Sequence, residues 1–152
     1  LNFIGHRSEE SAIEILAQPD CDGILVSASD LDNPVLQIPD FQTIILSPME
    51  FATAPGQGVL AWLTNASDRE TRLVLKNLHH TEVAAVTNIE RKIQQLLTGE
   101  RQAAVGVFCK KDVAGNFHLY AATQTPDGWR VCRLSSSTSF GLAERVAAEL
   151  SK

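Results

Sequence analysis

The sequence predicts a mixed chain: an α/β first part, then an α+β second part built on a small three-stranded antiparallel sheet with helices on one face. Two observations carry this. Helical apolar spacing alternates with short apolar runs in the first half, whereas from Ala104 the apolar period changes to two and is broken by turn signals. The polar stretch around Asn65 is the expected boundary, giving segments 1–65 and 66–152.

Taken in order, Ala12, Ile13, Ile15 and Leu16 among Glu9, Glu10 and Glu14 predict a helix from Ser8, its N-cap, to Leu16, ended by Pro19. "DGILVSAS" reads as a short buried strand, and Leu1–Ile4 as the strand before the helix, so the three make a βαβ unit. "TIILSP" is expected to be another buried strand, and "APGQGVLAWLT" a Pro/Gly turn running into a strand. Ser67 through Glu70 has the form of a capping box ahead of Leu73, Val74, Leu75 and Leu78. Val83, Val86, Ile89, Ile93, Leu96 and Leu97 fall on one helical stripe that Gly99 ends. Three alternating runs follow, joined by turns at Ala114-Gly115-Asn116 and Pro126-Asp127-Gly128. A last helix, Ser139 to Leu150, buries Leu142, Val146 and Leu150.

A chain of 152 residues with 44% hydrophobic composition can bury a core. A net charge of −5 with scattered Lys and Arg argues against a nucleic-acid or membrane-surface binder. Cys21, Cys109 and Cys132 include no CxxC pair, so neither a disulfide framework nor a zinc site is expected, and a reducing, cytoplasmic setting is. No run reaches the roughly 18 apolar residues of a membrane span. A start at Leu1 in place of Met raises the expectation of a piece of a longer chain.

Few residues announce chemistry. His79 and His80 are adjacent and suit helix capping better than a metal pair. His6 is isolated, and His118 falls on the polar side of a strand, where it is expected to face solvent. Glu90, Arg91 and Lys92 read as a solvated, ion-paired helix face, and Cys109 as an inert buried thiol. Gly56-Gln57-Gly58 reads as a structural turn sooner than a ligand cradle. No catalytic residue and no metal ligand set is assigned from the residues alone.

Several segments together resemble one family. "APGQGVLA", "NLHHTE", "IERKIQQLLTGERQAAVG" and the "PDGW" hairpin are similar to the hydroxymethylbilane synthases, also called porphobilinogen deaminases. That family has a PAxGQG segment, a helix ending near L-N-H, a helix bearing A-E-R, and a loop of the form G-G-C-Q-x-P-x-G. Gly56, Gln57 and Gly58 match the first, Leu78 and His80 the second, Glu90 and Arg91 the third, and Gly99, Gln102 and Gly106 the loop. More faintly, "FIGHRSEESAIEIL" and "DGILVSASDL" resemble the family's "LRGNVxTRLxKL" and "DAIILAxAGL".

The resemblance implies a partial α/β lobe like that of periplasmic binding proteins, over residues 1–65, followed by the family's C-terminal α+β domain. It implies an enzyme that joins four porphobilinogen molecules into hydroxymethylbilane with release of ammonia, on a dipyrromethane cofactor thioether-linked to the loop cysteine. This sequence departs from the pattern there: Arg101 stands at the cysteine position and Ala104 at the loop proline. A guanidinium supplies no thiolate, so no covalent cofactor is expected on this chain, and Cys109, one strand on, does not match the loop position. The arginines expected to hold substrate carboxylates fall near Ile4–His6 and Ala12, leaving Arg7 as a displaced substitute. The family's first domain, with its catalytic aspartate, is outside this sequence, so the chain is expected to be inactive alone and to have the rest of the same protein as its partner. The alternative is a non-catalytic relative serving as a ligand-binding or protein-interaction module. Arg101 is then either a surface arginine or a non-covalent holder of a carboxylate.

Overall fold

A computed structural model describes residues 3–4, 14–15, 18–28, 42–98 and 104–152. By contacts the chain divides into two compact units, Leu1–Ile45 and Leu46–Lys152, so residues 46–65 group with the C-terminal unit. Among the described residues no helix is long and apolar enough to cross a membrane.

In the N-terminal unit, β1 (Phe3–Ile4) pairs in parallel with β2 (Gly23–Ile24), Phe3 opposite Gly23 and Ile4 opposite Ile24. A parallel pair needs a crossover, and Glu14 and Ile15 between the strands are helical, as the βαβ pattern requires. The rest of the Ser8–Leu16 helix lies outside the described residues. The buried strand expected across "DGILVSAS" is shorter than the sequence implied: among the described residues only Gly23 and Ile24 pair, and Leu25 is exposed.

The C-terminal unit is a mixed assembly of helices and one antiparallel sheet. Helix α1 (Arg69–Leu75) runs into a 3-10 turn at Lys76–Leu78 and is followed by α2 (Thr81–Thr98). Strands β3 (Val105–Lys111), β4 (Phe117–Thr125) and β5 (Gly128–Ser136) pair in that order, and α3 (Leu142–Leu150) closes the chain. Both predicted hairpins form. Asp112 N–H donates to Asn116 O at 2.9 Å across the first, whose Gly115 takes φ +89°, a conformation that glycine adopts without Cβ strain. The second is a two-residue loop, Pro126-Asp127, with Thr125 opposite Gly128.

Alternation places Val107, Cys109, Phe117, Leu119, Ala121 and Cys132 on one face of this sheet, where they form a single core with Ile89 and Ile93 of α2 and Leu142, Ala143, Val146 and Leu150 of α3. The α2 stripe is buried at Ile89 and Ile93 with Val86 and Leu97 packed against them, whereas Val83 lies outside the core cluster and Leu96, expected on the stripe, is exposed. Lys92 of α2 and Glu144 of α3 pair across the outside of the two helices.

Four expectations are corrected. The cap of α1 is Asp68, whose carboxylate accepts Thr71 N–H at 3.0 Å, and Ser67 turns back to Asn65 instead; a carboxylate is the stronger acceptor at the positive helix end. The last helix begins at Leu142, because Gly141 at φ +67° leaves the helical region. The strand expected at "TIILSP" does not form among residues 42–47, and that expected after Gly58 does not form either. Among the described residues neither stretch has a neighbouring ladder to satisfy its backbone groups, and Leu60 and Leu63 stand 86% and 99% exposed.

Ile93 is 0% exposed at the centre of the core. Ile93→Ala is expected to cost about 2–5 kcal/mol of unfolding free energy by cavity formation, read by urea denaturation followed by circular dichroism.

Candidate functional site

The middle of α2 carries a buried carboxylate. Position 90 lies four residues after Val86 and three before Ile93, so the helix turns Glu90 onto its own apolar stripe, where it is 6% exposed. Its Oε2 accepts the N–H of Gly56 at 2.8 Å and its Oε1 the N–H of Cys109 at 2.8 Å. One side chain therefore ties three segments far apart in sequence: the Gly56-Gln57-Gly58 turn, α2, and the centre of β3. Burial pushes the Glu90 carboxyl above the usual carboxylate range, against the two N–H donors, which favour the ionised form.

The expectation that Glu90 belongs to a solvated, ion-paired face is thus overturned; of the three residues only Arg91 and Lys92 are exposed. The signal was present in the spacing, since 86, 90, 93 and 97 form one stripe with a carboxylate in it. Close beside Glu90, Thr87 is buried, and among the described residues its hydroxyl is the one buried side-chain oxygen or nitrogen without a hydrogen-bond partner. A Cβ added at Gly56 would lie 3.4 Å from Thr87 Cγ2, so turn and helix are in close contact, and Gly56 and Gly58 adopt φ of +72° and +78°.

Gly106 is fixed by another close approach. Thr53 O accepts Val107 N–H at 2.8 Å, which lays residues 52–53 along the free edge of β3. A Cβ on Gly106 would fall 2.3 Å from Ala52 O, a distance no real side chain takes. Gly99, Arg101 and Gln102 lie outside the described residues.

The segments that Glu90 and β3 draw together are those whose motifs resemble the tetrapyrrole enzymes, and the comparisons with known proteins agree. No family model matches the chain. Curated proteins do: it is 33% identical over 110 residues to a porphobilinogen deaminase of Chloroherpeton thalassium, 27% identical over 143 residues to one of Desulforamulus reducens, and 32% identical over 120 residues to a probable porphobilinogen deaminase of Methanosarcina acetivorans. These matches cover 70%, 90% and 78% of this chain. The chain is a divergent member of the porphobilinogen deaminase family. It spans 35%, 43% and 37% of the lengths of those three relatives.

A family cofactor held through a thioether asks for an accessible thiol of depressed pKa. The thiols of Cys109 and Cys132 do not fit. Cys109 is buried on the helix-facing side of β3, and burial, with the Glu90 charge adding to it, pushes its thiol up to about 12. Cys132 is buried on the same face of β5, and burial raises its pKa too. Cys21 lies in the N-terminal unit with its thiol donating to Gly23 O at 3.4 Å. The reading of Cys109 as an inert buried thiol therefore matches its surroundings.

The histidines divide. His80 caps α2, its Nδ1 accepting Val83 N–H at 3.3 Å, which accords with a capping role. His118 is not simply solvent-facing: it is half-buried, with Asp112 and Ser135 on its two ring nitrogens. His6 lies outside the described residues. Among the described residues no three metal-ligating side chains converge.

Two predictions arise from this geometry. Gly106→Ala must displace the backbone at Ala52 and is expected to destabilise the C-terminal unit by about 1–3 kcal/mol, read by thermal unfolding. Glu90 holds a proton more readily when folded than when unfolded, so its contribution to stability is fully present below its ordinary carboxylate pKa and is lost as pH rises through the folded value. Glu90→Gln, which cannot titrate, is therefore expected to show a larger deficit in unfolding free energy at pH 4 than at pH 7. A deficit growing with pH would contradict the raised pKa.

Proposed function

We propose that this chain carries the C-terminal part of a porphobilinogen deaminase-like protein and that its loop after α2 holds no thioether-linked dipyrromethane. On this reading the partial α/β lobe of the periplasmic-binding type, expected over residues 1–65, is supported by the parallel pairing of Phe3–Ile4 with Gly23–Ile24 within the unit Leu1–Ile45. The family's assembly of hydroxymethylbilane from porphobilinogen would then need groups that this chain does not itself supply.

The observation that carries the proposal is the chemistry at one position. Arg101 occupies the place of the family's cysteine while Gly99, Gln102 and Gly106 keep the motif's spacing around it. Arginine has no nucleophilic sulfur, and the thiol nearest in sequence, Cys109, is buried and held protonated. Arg101 instead offers a fixed positive charge with a forked donor set, suited to a carboxylate-bearing ligand bound without a covalent bond.

A second reading, a non-catalytic interaction module, is favoured by the exposed run Val59, Leu60, Trp62 and Leu63, an apolar stretch with no cover among the described residues of its own unit.

The test is the intact mass of the protein purified from a porphobilinogen-producing host, with an assay of porphobilinogen consumption. The expected result is the unmodified mass and no consumption. A mass increase equal to a dipyrromethane, with turnover, would show that another cysteine has taken the role and would overturn the proposal.

A further inference from the structure

The helix-free face of the sheet carries a hydroxyl, an imidazole and a carboxylate in sequence. His118 of β4 and Ser135 of β5 are direct cross-strand partners, which sets their side chains on the same face. Ser135 Oγ lies 2.8 Å from His118 Nδ1, and Asp112 Oδ2 lies 2.9 Å from His118 Nε2. Asp112 is itself fixed in the β3–β4 turn, its Oδ1 accepting Asn116 N–H at 2.8 Å and its Oδ2 the Asn116 side-chain amide at 3.2 Å. Ser135 also lines an open cleft of about 360 Å³ with Met49, Glu50, Tyr120 and Arg133.

We propose that Ser135 is a nucleophile activated by His118, with Asp112 as positioning residue, and that the cleft beside it takes small carboxylic esters. The hydrogen bond from His118, followed by those from Asn116, holds the Asp112 carboxyl well below the usual carboxylate range, so it acts only as an acceptor. His118 Nε2 must then carry the proton, and in the neutral ring Nδ1 is left as the acceptor that faces the Ser135 hydroxyl. This is the division of labour that makes a serine nucleophilic, and it is recognised by geometry and not by fold or chain order. Ser135 is exposed, so the hydroxyl is open to a ligand, and Tyr120 and Arg133 on the cleft wall bring donors for a developing oxyanion.

In the reaction, Ser135 Oγ attacks the ester carbonyl carbon while its proton passes to His118 Nδ1. The bond from that carbon to the alcohol oxygen breaks, and the leaving alkoxide takes the proton. Water then attacks the acyl-serine with the same proton transfers, releasing the carboxylic acid and restoring the hydroxyl. The sum is one ester and one water converted to one acid and one alcohol.

The probes are diisopropyl fluorophosphate, which serine displaces with loss of fluoride, and 4-nitrophenyl acetate. The folded protein is expected to gain one diisopropylphosphoryl group, located on Ser135 by peptide mass spectrometry, and Ser135→Ala to gain none. Because Ser135 is an exposed strand position, that variant keeps the fold, and circular dichroism checks it. His118→Asn is expected to slow labelling by about 100-fold or more, the scale of a lost general base. Asp112→Asn, whose amide would reverse the ring's tautomer, is expected to lower kcat for the acetate at least about tenfold with KM unchanged, a split that a purely structural role would not give. Labelling on Tyr120, labelling that persists in Ser135→Ala, or a rate in His118→Asn equal to that of the parent would each overturn the proposal. The outcome is independent of porphobilinogen turnover.

Discussion

One carboxylate ties three separate segments of the C-terminal unit together. Glu90 sits on the buried stripe of α2 and holds the backbone of the glycine turn with one oxygen and that of β3 with the other. Removing an ion from water is costly, and no cation among the described residues offsets it; the two N–H donors do so in part. Such a group is poor as a source of stability and good as a source of specificity. An apolar residue at position 90 would pack against the core with no preference for where residue 56 or 109 stood. The carboxylate accepts one register of turn against helix and strand, because only that register pairs both oxygens.

That constraint explains why residues 46–58 belong with the sheet although their sequence reads like the chain before them. The Thr53 carbonyl bonds to the edge of β3, Gly56 bonds to Glu90, and Gly106 gives the space for Ala52 to pass. Three contacts from separate origins pin one segment. Beyond Gly58 they stop, and the chain immediately becomes exposed in spite of its apolar composition. Strand propensity in Val59–Leu63 has no ladder to act upon, so local preference yields to the lack of a partner among the described residues of the unit.

Legibility in the sequence followed the same logic. The helix stripe of α2, the three alternating strands and both hairpin turns were readable because each is specified by spacing within about ten residues. The strands at "TIILSP" and after Gly58 were misread because their apolar runs say nothing about a neighbour. Glu90 was misread from its company, Arg91 and Lys92, although its phase relative to Val86 and Ile93 placed it inward. His118 was half readable: a two-residue loop at Pro126-Asp127 sets Thr125 opposite Gly128 and hence His118 opposite Ser135. What no spacing could supply was Asp112, whose carboxylate reaches His118 only because Asn116 folds the turn back onto it.

Three of the residues whose motifs resemble those of the porphobilinogen deaminases have a structural demand of their own. Gly56, Glu90 and Gly106 each satisfy a local demand of folding: a left-handed turn, a pair of backbone donors, a backbone passing at contact distance. Changing any of the three is expected to weaken the C-terminal unit itself. Cys109 is held by the same packing: it faces the helices, and its own N–H is what Glu90 accepts. These contacts account for the fold of the unit and assign no reaction to it, since a fold does not by itself imply a function.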